Sequence, residues 1–407
     1  MTTIARPVPR PPAARPAKAR VLYVLREYPR LGQTYIKNEI EALEADYAIG
    51  IVTRSRAEPA YANHRSHGFA AEMEELVAQV EHFRPDVLHT HHLTELAWIG
   101  KLSRRTGVPF TVRTHSCDTI GLRRPGLTDR IRQMMRREQP AARAPWFTAG
   151  LLAMESELCL GVLGFPCARP WMVRAGVNPA KLVDCFPVVR FAAFHDRGAN
   201  GDAIMNVGAP AERKGTPDFL RLASRVRGRD FNLYAMGAPS GWLQHRADEL
   251  DARLNIMRPV EPEAMPAEYK KHRWLVYTAD MAAPAAGWPM VIAEAQAAGV
   301  GVCMPALRPD LAQYVGDGAG ILYESIDELP AIVSGPVPEE MRARGFEQAR
   351  KSDIERHKHL LTDLWDDALA GRAPDLGARA ESASPPAPKP APAVPARRPA
   401  ASAASPA

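Results

Sequence analysis

Short apolar runs alternate along the chain with longer amphipathic stretches. In the first half the runs read VLYVL at 21–25, YAIGIVT at 47–53, DVLHTHH at 86–92, FTVRTH at 110–115, LCLGVLGFP at 158–166 and KLVDCFPVV at 181–189. Between them lie stretches such as TYIKNEIEALEA, which have the spacing of amphipathic helices. Strands that alternate with helices are typical of parallel βαβ units. The first half therefore predicts a doubly wound α/β domain.

The same pattern restarts after a turn cluster, RGANGD, at 197–202. Further strands are predicted at 203–208, 231–237, 254–260, 274–280, 300–305 and 320–323, and a long helical stretch is predicted over about 338–370. Ligands of doubly wound domains bind at the carboxyl edge of the sheet. Two such edges that face each other would place the site in a cleft between the domains.

Composition and charge narrow the class of protein. The 407 residues are 46% hydrophobic and 24% charged, with a formal net charge of +6, which are ordinary values for a globular enzyme. No apolar run reaches the length of a membrane span, and the basic N-terminus lacks the apolar region of a secretory signal. The five cysteines form no C-x-x-C pair and fit reduced thiols. We therefore expect a cytoplasmic protein.

The segment AAGWPMVIAEAQAAGVGVCMP at 285–305 carries the clearest chemical signal. It predicts a helix over about 289–298, with Pro289 at the first helical position. Backbone N–H groups at Gly287, Trp288 and Met290 would then be available to an anion such as phosphate. A strand–loop–helix unit with a purely structural role is the alternative.

Two charged features lie in the same half of the chain. Glu294 falls among apolar residues of the predicted helix, so its carboxylate needs a partner, either a structural Arg or Lys or the hydroxyls of a ligand. Arg213 and Lys214 follow the strand at 203–208 and suit a diphosphate. A solvated surface pair is the alternative for these two.

With these segments the sequence resembles the retaining GT-B glycosyltransferases, in particular their family 4. The family has a G-R-x(4)-K-G loop and an E-G-x-P-x(4)-E-A-x-A-x-G helix. Gly208, Lys214 and Gly215 match the loop; Gly287, Pro289, Glu294, Ala295, Ala297 and Gly299 match the helix. The segments at 28–43, 84–92, 107–118 and 176–189 resemble the family's N-terminal half. The similarity covers about residues 20–370.

The resemblance implies two Rossmann-like domains that face a cleft. We place a disordered Pro/Ala-rich tail at 1–19, the acceptor-side domain at 20–196, the donor domain at 197–350, a C-terminal helix that returns to the N-terminal domain at 351–370, and a second disordered tail at 371–407. The implied function is hexosyl transfer from a nucleoside diphosphate sugar to a glycan or lipid-linked acceptor, in cell-envelope polysaccharide biosynthesis.

The resemblance also implies roles for particular residues. Gly32 would keep the first loop close to the diphosphate, Glu294 would hold the nucleotide ribose, and His115 would lie at the reacting end. Arg213, Lys214 and the N–H groups from Gly287 onward would bind phosphate. The family requires no metal or other cofactor, and the sequence has no D-x-D motif that serves one.

Two positions depart from the family pattern. Ala209 stands in place of the loop arginine, and Ala286 stands in place of the first glutamate of the helix motif. Arg213 could replace the missing arginine. The departures keep a non-catalytic GT-B binding protein open as an alternative. A sugar-nucleotide epimerase on the same fold is another.

Two further groups need interpretation. His89, His91, His92 and His115 could bind zinc, but strand alternation is expected to send neighbouring side chains to opposite faces, so we favour no metal site.

The segment at 121–147 is rich in arginine. It is either a solvated surface helix or a contact with anionic lipid at the inner face of the plasma membrane. No motif supports nucleic-acid binding.

Overall fold

The computed structural model describes residues 18–56, 68–115, 145–208, 215–235, 241–278, 289–306, 315 and 318–372. The two tails that the sequence predicts to be disordered lie almost entirely outside this range. Most of the arginine-rich stretch at 121–147 also lies outside it, so the predictions for these segments stay predictions.

The first domain is built on a parallel sheet. In chain order its strands β1 to β7 span Arg20–Leu25, Ala48–Thr53, Gly68–Phe69, Val87–His91, Phe110–Arg113, Cys159–Gly164 and Leu182–Asp184. Their order across the sheet is β3–β2–β1–β4–β5–β6–β7. Its helices α1 to α5 span Thr34–Leu43, Met73–Phe83, Leu96–Thr106, Pro145–Glu155 and Arg169–Ala175. The strand order reverses between β1 and β4, which is where doubly wound sheets bind ligands.

The second domain repeats this arrangement. Strands β8 to β13 span Ala203–Gly208, Phe231–Ala235, Leu254–Met257, His272–Val276, Gly301–Pro305 and Ile321–Tyr323. They lie in the order β10–β9–β8–β11–β12–β13, and all the pairs are parallel. The remaining helices α6 to α14 span Phe191–Phe194, Thr216–Arg225, Gly241–Glu249, Met265–Lys270, Met290–Ala297, Leu329–Ser334, Glu339–Ala349, Ile354–His357 and His359–Leu369. The predicted fold class, two Rossmann-like parallel-sheet domains, is confirmed.

Each sheet is covered by apolar side chains on both faces. On β1, Leu22 and Val24 belong to one core, and Val21 and Tyr23 belong to the core on the opposite face. All four side chains are at most 3% exposed. Burial on both faces explains why the strands read as continuous apolar runs rather than as alternating ones.

The chain passes twice between the domains, and the two passing segments pair with each other. Val189 N donates to Ser352 O over 3.0 Å, and Ile354 N donates to Val189 O over 2.9 Å. Phe191 and Phe194 precede the turn cluster at 197–202, yet they pack in the core of the second domain. These hydrogen bonds therefore hold together, at Val189 and at 352–354, the two segments that connect the domains.

The helical stretch predicted over about 338–370 consists of several helices and is interrupted at Asp353. This residue has an extended backbone, with φ −68° and ψ 114°, and its side chain accepts a hydrogen bond from Glu355 N at the start of α13. The interruption lets the chain cross back to the first domain. There α14 lies against β6, where a Cβ on Gly161 would come within 2.8 Å of the Leu364 side chain. The predicted return of the C-terminal helix is confirmed.

Two further sequence expectations bear on the described residues. Cys159, Cys185 and Cys303 are buried thiols that form no disulfide. Among the helices of the described chain, none is both long and apolar enough to cross a bilayer.

Candidate functional site

A cavity of about 380 Å³ lies between the carboxyl edges of the two sheets. Its walls come from loops and helices that follow the strands of both domains. The first domain contributes Leu31, Gly32, Tyr35, Asn38, His92, Arg113, His115, Phe165 and Phe186; the second contributes Val207, Tyr234, Arg258, Met265, Pro289, Met290, Val291 and Glu294. This volume lies in the range that small-molecule sites occupy.

The second-domain wall contains the start of α10. The helix begins at Met290, one residue later than the sequence predicts. Pro289, expected at the first helical position, is instead the N-cap residue and has an extended backbone. Pro289, Met290 and Glu294 all line the cavity. The end of the helix with unpaired N–H groups therefore faces the cavity, as an anion site requires.

Glu294 has a different partner from those that the sequence suggests. Its Oε2 accepts a hydrogen bond of 2.7 Å from the hydroxyl of Tyr269, and no lysine or arginine of the described residues pairs with it. Burial raises the pKa of Glu294 to about 7, although the hydrogen bond from Tyr269 acts in the opposite direction. A carboxyl group without a cation at a cavity wall is free to accept hydrogen bonds from ligand hydroxyls.

The first-domain wall begins with the loop after β1. A short 3₁₀ turn at Leu31–Gln33 leads directly into α1 and exposes Gly32 to the cavity. Lys37, on the following helix, forms an ion pair with Glu263 of the second domain. The same helix therefore borders the cavity and contacts the opposite domain.

His115 lies at the end of this wall, just after β5. Its Nε2 is 2.9 Å from His91 Nδ1, and the two rings stack with an interplanar angle of 17°. The ring of Tyr35 packs on His115 with a centroid distance of 4.2 Å. Burial is the main cause that holds the pKa of His115 well below its usual value. His115 is therefore a neutral imidazole at neutral pH.

A fully buried carboxylate, Glu39 on α1, lies behind His115. Arg113 Nε donates to Glu39 Oε2 over 2.6 Å, and the Tyr23 hydroxyl donates to Oε1 over 3.1 Å. The Nε2 atoms of His89 and His91 each lie 3.1 Å from the same Oε1. Burial alone would raise the pKa of Glu39, but Arg113 holds it well below its usual range. Glu39 is consequently ionised.

The sequence argument that separated the histidines is wrong in one respect. His92 has a φ of 77°, a conformation that residues other than glycine seldom adopt. This backbone interrupts the alternation of the strand, so the His92 ring lies 4.5 Å from that of His115. His91, His92 and His115 therefore share one side. A strained backbone of this kind is more common at functional sites than elsewhere.

The same cluster has to be considered as a metal site. Ligand atoms of Glu39, His89 and His91 lie within 4.8 Å of one another. Arg113 already supplies the positive charge that pairs with Glu39, and a cation there would face that guanidinium in a buried environment. The residues fit a hydrogen-bond network better than a metal site.

The structure brings five of the predicted site residues to one cavity. They are Gly32, His115, Pro289, Met290 and Glu294. The other four, Arg213, Lys214, Gly287 and Trp288, lie outside the described residues. Val207 lines the cavity just before the loop that carries Arg213 and Lys214, and Pro289 lines it just after Trp288. The described chain thus lines the cavity shortly before the segment that carries Arg213 and Lys214 and directly after the segment that carries Gly287 and Trp288.

Sequence reasoning missed several residues of the site, namely Glu39, Arg113, Tyr269 and Tyr35. Glu39 occurs in a helix with many charged residues and looks solvent-exposed in the sequence. A signal was available for it: His89, His91 and Arg113 occupy strands that are otherwise apolar, and such buried polar groups require a partner.

The comparison with protein families identifies one match. Residues 201–334 match the family described as Glycosyl transferases group 1. This range covers most of the second domain, including β8 and α10. No curated protein sequence matches the chain.

Solved structures with the same fold include enzymes of more than one kind. Sucrose-phosphate synthase from Thermosynechococcus elongatus has a TM-score of 0.66 at 14% identity, over 87% of this chain and 100% of that chain. HepE from Anabaena in complex with UDP-glucose has a TM-score of 0.60 at 10% identity, over 89% and 98%. UDP-GlcNAc 2-epimerase from Neisseria meningitidis has a TM-score of 0.53 at 12% identity, over 87% and 100%. At these identities the likeness concerns the fold.

The family match and the fold point in the same direction. The match covers the wall of the cavity that contains α10, and the two sheets face each other as in the GT-B enzymes. The chain therefore has the fold of the GT-B glycosyltransferases, and its residues 201–334 match the family model of the glycosyl transferases group 1.

Proposed function

We propose that the protein is a retaining glycosyltransferase that moves a hexosyl group from a nucleoside diphosphate sugar to a glycan or lipid-linked acceptor. One observation carries the proposal: a single cavity joins His115 and Gly32 of the first domain to Met290 and Glu294 of the second. Reaction between a donor held by one domain and an acceptor held by the other needs such a shared cavity.

The donor is a uridine diphosphate sugar in this proposal. Support comes from the HepE structures, which contain UDP or UDP-glucose. The N–H groups at the start of α10 would bind the diphosphate together with Arg213 and Lys214. Glu294 would accept hydrogen bonds from the ribose hydroxyls, and Gly32 would allow the first loop to approach the diphosphate.

The chemistry follows from the charge of the leaving group. Departure of a nucleoside diphosphate places negative charge on phosphate, and preoriented N–H groups and cationic side chains stabilise that charge. His115 would contact the donor sugar or the acceptor at the reacting end. We propose that no metal takes part, and that the Glu39 cluster supports His115 through hydrogen bonds.

An epimerase is the second candidate, because UDP-GlcNAc 2-epimerase has the same fold. The family match over residues 201–334 favours the transferase. A non-catalytic binding protein is the third candidate, and the alanines at 209 and 286 favour it.

Incubation of the protein with UDP-sugars separates these candidates. A transferase slowly hydrolyses one donor to free sugar and UDP, an epimerase converts it to a second UDP-sugar, and a binding protein leaves it unchanged. Proton NMR of the released sugar reports the anomer that forms first, and a product with inverted configuration would contradict retention. Calorimetry with UDP and its sugar conjugate measures binding separately.

Two variants address the donor site directly. Lys214→Ala should weaken the binding of UDP and of the UDP-sugar alike, because the lysine acts on phosphate. Ala286→Glu should change discrimination among sugars and leave UDP affinity nearly unchanged. A Lys214→Ala variant that leaves UDP affinity unchanged, or an Ala286→Glu variant that changes UDP affinity as much as that of the sugar conjugate, would contradict these assignments.

We further propose that the acceptor belongs to cell-envelope polysaccharide synthesis, at the inner face of the plasma membrane. The arginine-rich segment at 121–147 would contact anionic lipid, and each basic group near such a surface contributes about 1 kcal/mol. Sedimentation with anionic liposomes should fall when Arg132, Arg136 and Arg137 are changed to Glu. Equal sedimentation with neutral and anionic liposomes would contradict the proposal.

A further inference from the structure

His92 lies directly after β4 and has a backbone conformation that is costly for any residue with a side chain. Its φ is 77° and its ψ is 130°, outside the small left-handed region that residues other than glycine can enter. Glycine adopts such angles readily because it has no Cβ. A histidine at this position therefore makes the folded state less stable than a residue that fits the backbone would.

Two main-chain hydrogen bonds hold His92 in this conformation. His92 N donates to Arg113 O over 2.9 Å, and His92 O accepts from Glu95 N over 3.1 Å. Only backbone atoms form these bonds, so a glycine could form them equally well. The path of the chain thus explains the left-handed backbone, but it does not explain why a histidine occupies the position.

The side chain of His92 completes a group of three rings, formed by Tyr35, His92 and His115. The Tyr35 hydroxyl forms a hydrogen bond of 3.0 Å with His92 Nε2. The ring centroid of His115 lies 4.5 Å from that of His92 and 4.2 Å from that of Tyr35. All three residues line the cavity. Each ring of the group is therefore in contact with the other two.

We propose that His92 is a positioning residue of the site, kept in a strained conformation because its imidazole fixes Tyr35 and His115 at the cavity wall. The ligand group that this wall orients is the donor sugar or the acceptor at the reacting end. The identity of that group rests on the proposed function. The strain and the ring contacts rest on the structure alone.

The three rings come from different parts of the first domain. Tyr35 belongs to the first turn of α1, His92 follows β4, and His115 follows β5, the strand that pairs with β4. Without His92, Tyr35 and His115 would lose contacts that restrict their rotamers, and a ligand would have to order them when it binds. The contacts with His92 remove this cost in advance, as a preorganised site requires.

Three variants of His92 separate the strain from the contacts. His92→Gly has neither the strain nor the imidazole, and His92→Ala keeps the strain without the imidazole. In His92→Gln the strain remains, and the amide nitrogen can take the place of Nε2 beside the Tyr35 hydroxyl. His92→Gly should melt roughly 2–5 °C higher than His92→Ala, although glycine also gives the unfolded chain more freedom. Equal melting temperatures would overturn the proposal.

Hydrolysis of UDP-glucose gives the functional readout. In His92→Gly and His92→Ala alike kcat should fall about tenfold, and in His92→Gln it should stay within about threefold of wild type. KM should change less than about twofold, because the second domain holds the diphosphate. A purely structural role would make activity follow stability, so that His92→Gly would be more active than His92→Ala. That result, or failure of His92→Gln to retain activity, would overturn the proposal.

Arg84 supplies the control for the backbone. It ends α2 in a left-handed conformation, with φ 51° and ψ 59°, and it does not line the cavity. Arg84→Gly also replaces a left-handed side chain with glycine, and it should leave kcat unchanged. A loss of activity in Arg84→Gly as large as that in His92→Gly would show that the effect does not depend on the three rings, and would overturn the proposal.

NMR of the protein with ¹³C-labelled histidine tests the positioning without any ligand. The ring signals of His115 are those absent from His115→Gln. They should be single and sharp in wild type and in His92→Gln, and they should broaden or double in His92→Gly and His92→Ala. If wild type hydrolyses no nucleotide sugar, the proposed function fails while this measurement still decides the role of His92. Single, sharp His115 signals in His92→Gly would overturn the proposal.

Discussion

The Tyr269 hydroxyl donates a hydrogen bond of 2.7 Å to Glu294 Oε2, and among the described residues no cation shares that carboxylate. The pKa of Glu294 is about 7 in the folded protein, above its usual value of 4.5, chiefly because of burial. The folded state thus binds this proton more tightly than the unfolded state. Folding stability is therefore lost as the pH rises from about 4.5 to 7.

Glu294→Gln should therefore act in opposite directions on stability and on binding. At pH 8 it removes the cost of ionising Glu294, so the free energy of unfolding should rise by on the order of 1–3 kcal/mol. Loss of the charge should weaken UDP-glucose binding roughly 10- to 100-fold. Urea denaturation and calorimetry measure the two effects.

Glu268→Gln is the matched control for this variant. Glu268 accepts a hydrogen bond from the Tyr234 hydroxyl, as Glu294 does from Tyr269, but it does not line the cavity. Its replacement should neither raise stability nor change donor affinity. If Glu294→Gln behaves in the same way as this control, Glu294 is a structural residue.

Donor binding should depend on pH in the same range. UDP-glucose affinity should rise between pH 6 and pH 8, as Glu294 loses its proton and becomes the stronger acceptor. Tyr269→Phe removes a hydrogen bond that favours the charged form, so the midpoint of the rise should move to higher pH. The sugar conjugate is the proper ligand because it lacks the phosphate monoester that titrates near pH 6. An affinity that is flat across this range would exclude Glu294 from the donor site.

His357 should make the protein sensitive to mild acid. Burial is the main cause that lowers its pKa to about 4, so the unfolded state takes up a proton near pH 6.5 and the folded state does not. Stability should then fall as the pH drops below 6.5, by about 1.4 kcal/mol per pH unit for this residue. In His357→Gln the hydrogen bond to Pro187 O can persist without the titration.

Urea denaturation at pH 7 and pH 5 tests the contribution of His357. The loss of stability between these values should be about 2 kcal/mol smaller in His357→Gln than in wild type. His359→Gln changes an exposed histidine two residues away and should leave the loss unchanged. Identical losses in both variants and in wild type would contradict the assignment.

Gly215 should be intolerant of any side chain. It has a φ of 65°, and a Cβ there would lie 1.9 Å from the carbonyl oxygen of Thr278. Gly215→Ala should cost more than about 2 kcal/mol, since left-handed strain alone is worth roughly 1–2 kcal/mol. Gly228 has a φ of 78° with no atom within 4 Å of a Cβ, so Gly228→Ala isolates the strain. Equal melting temperatures of the two variants would show that the backbone at Thr278 moves away from the new Cβ at little energetic cost.

The strands and their order in the chain were predictable because both faces of each sheet are buried. A strand such as β8 reads as an apolar run with Asn206 as its one polar residue, and its bounds at 203–208 are the same in the sequence and in the structure. Strand β3 was missed because Gly68 and Phe69 form no such run. The break at Asp353 was missed because it depends on the pairing with Val189, which is distant in sequence.

The site was predictable where a local pattern carries it. The start of α10 follows from Pro289 and the apolar residues after it. The network behind His115 was predictable only in part. His91 and Arg113 on apolar strands require a partner, but that the partner is Glu39 was not predictable, because the three residues come from separate elements that only the sheet brings together. A sequence motif identifies the residues that carry the chemistry. It does not identify the residues, distant in sequence, that hold them in place.

The Trp365 indole donates to Thr111 Oγ1 over 2.9 Å, across 254 residues of sequence. Thr111 in turn contacts His89 in the Glu39 cluster, so the support of His115 is complete only when almost the whole chain has left the ribosome. The second domain has all of its residues earlier. We expect it to fold first during synthesis, although it comes second in the sequence. Chains that end at residue 353 and are held clear of the ribosome exit tunnel by an added C-terminal linker should then protect the second domain from protease and leave the first domain open to cleavage.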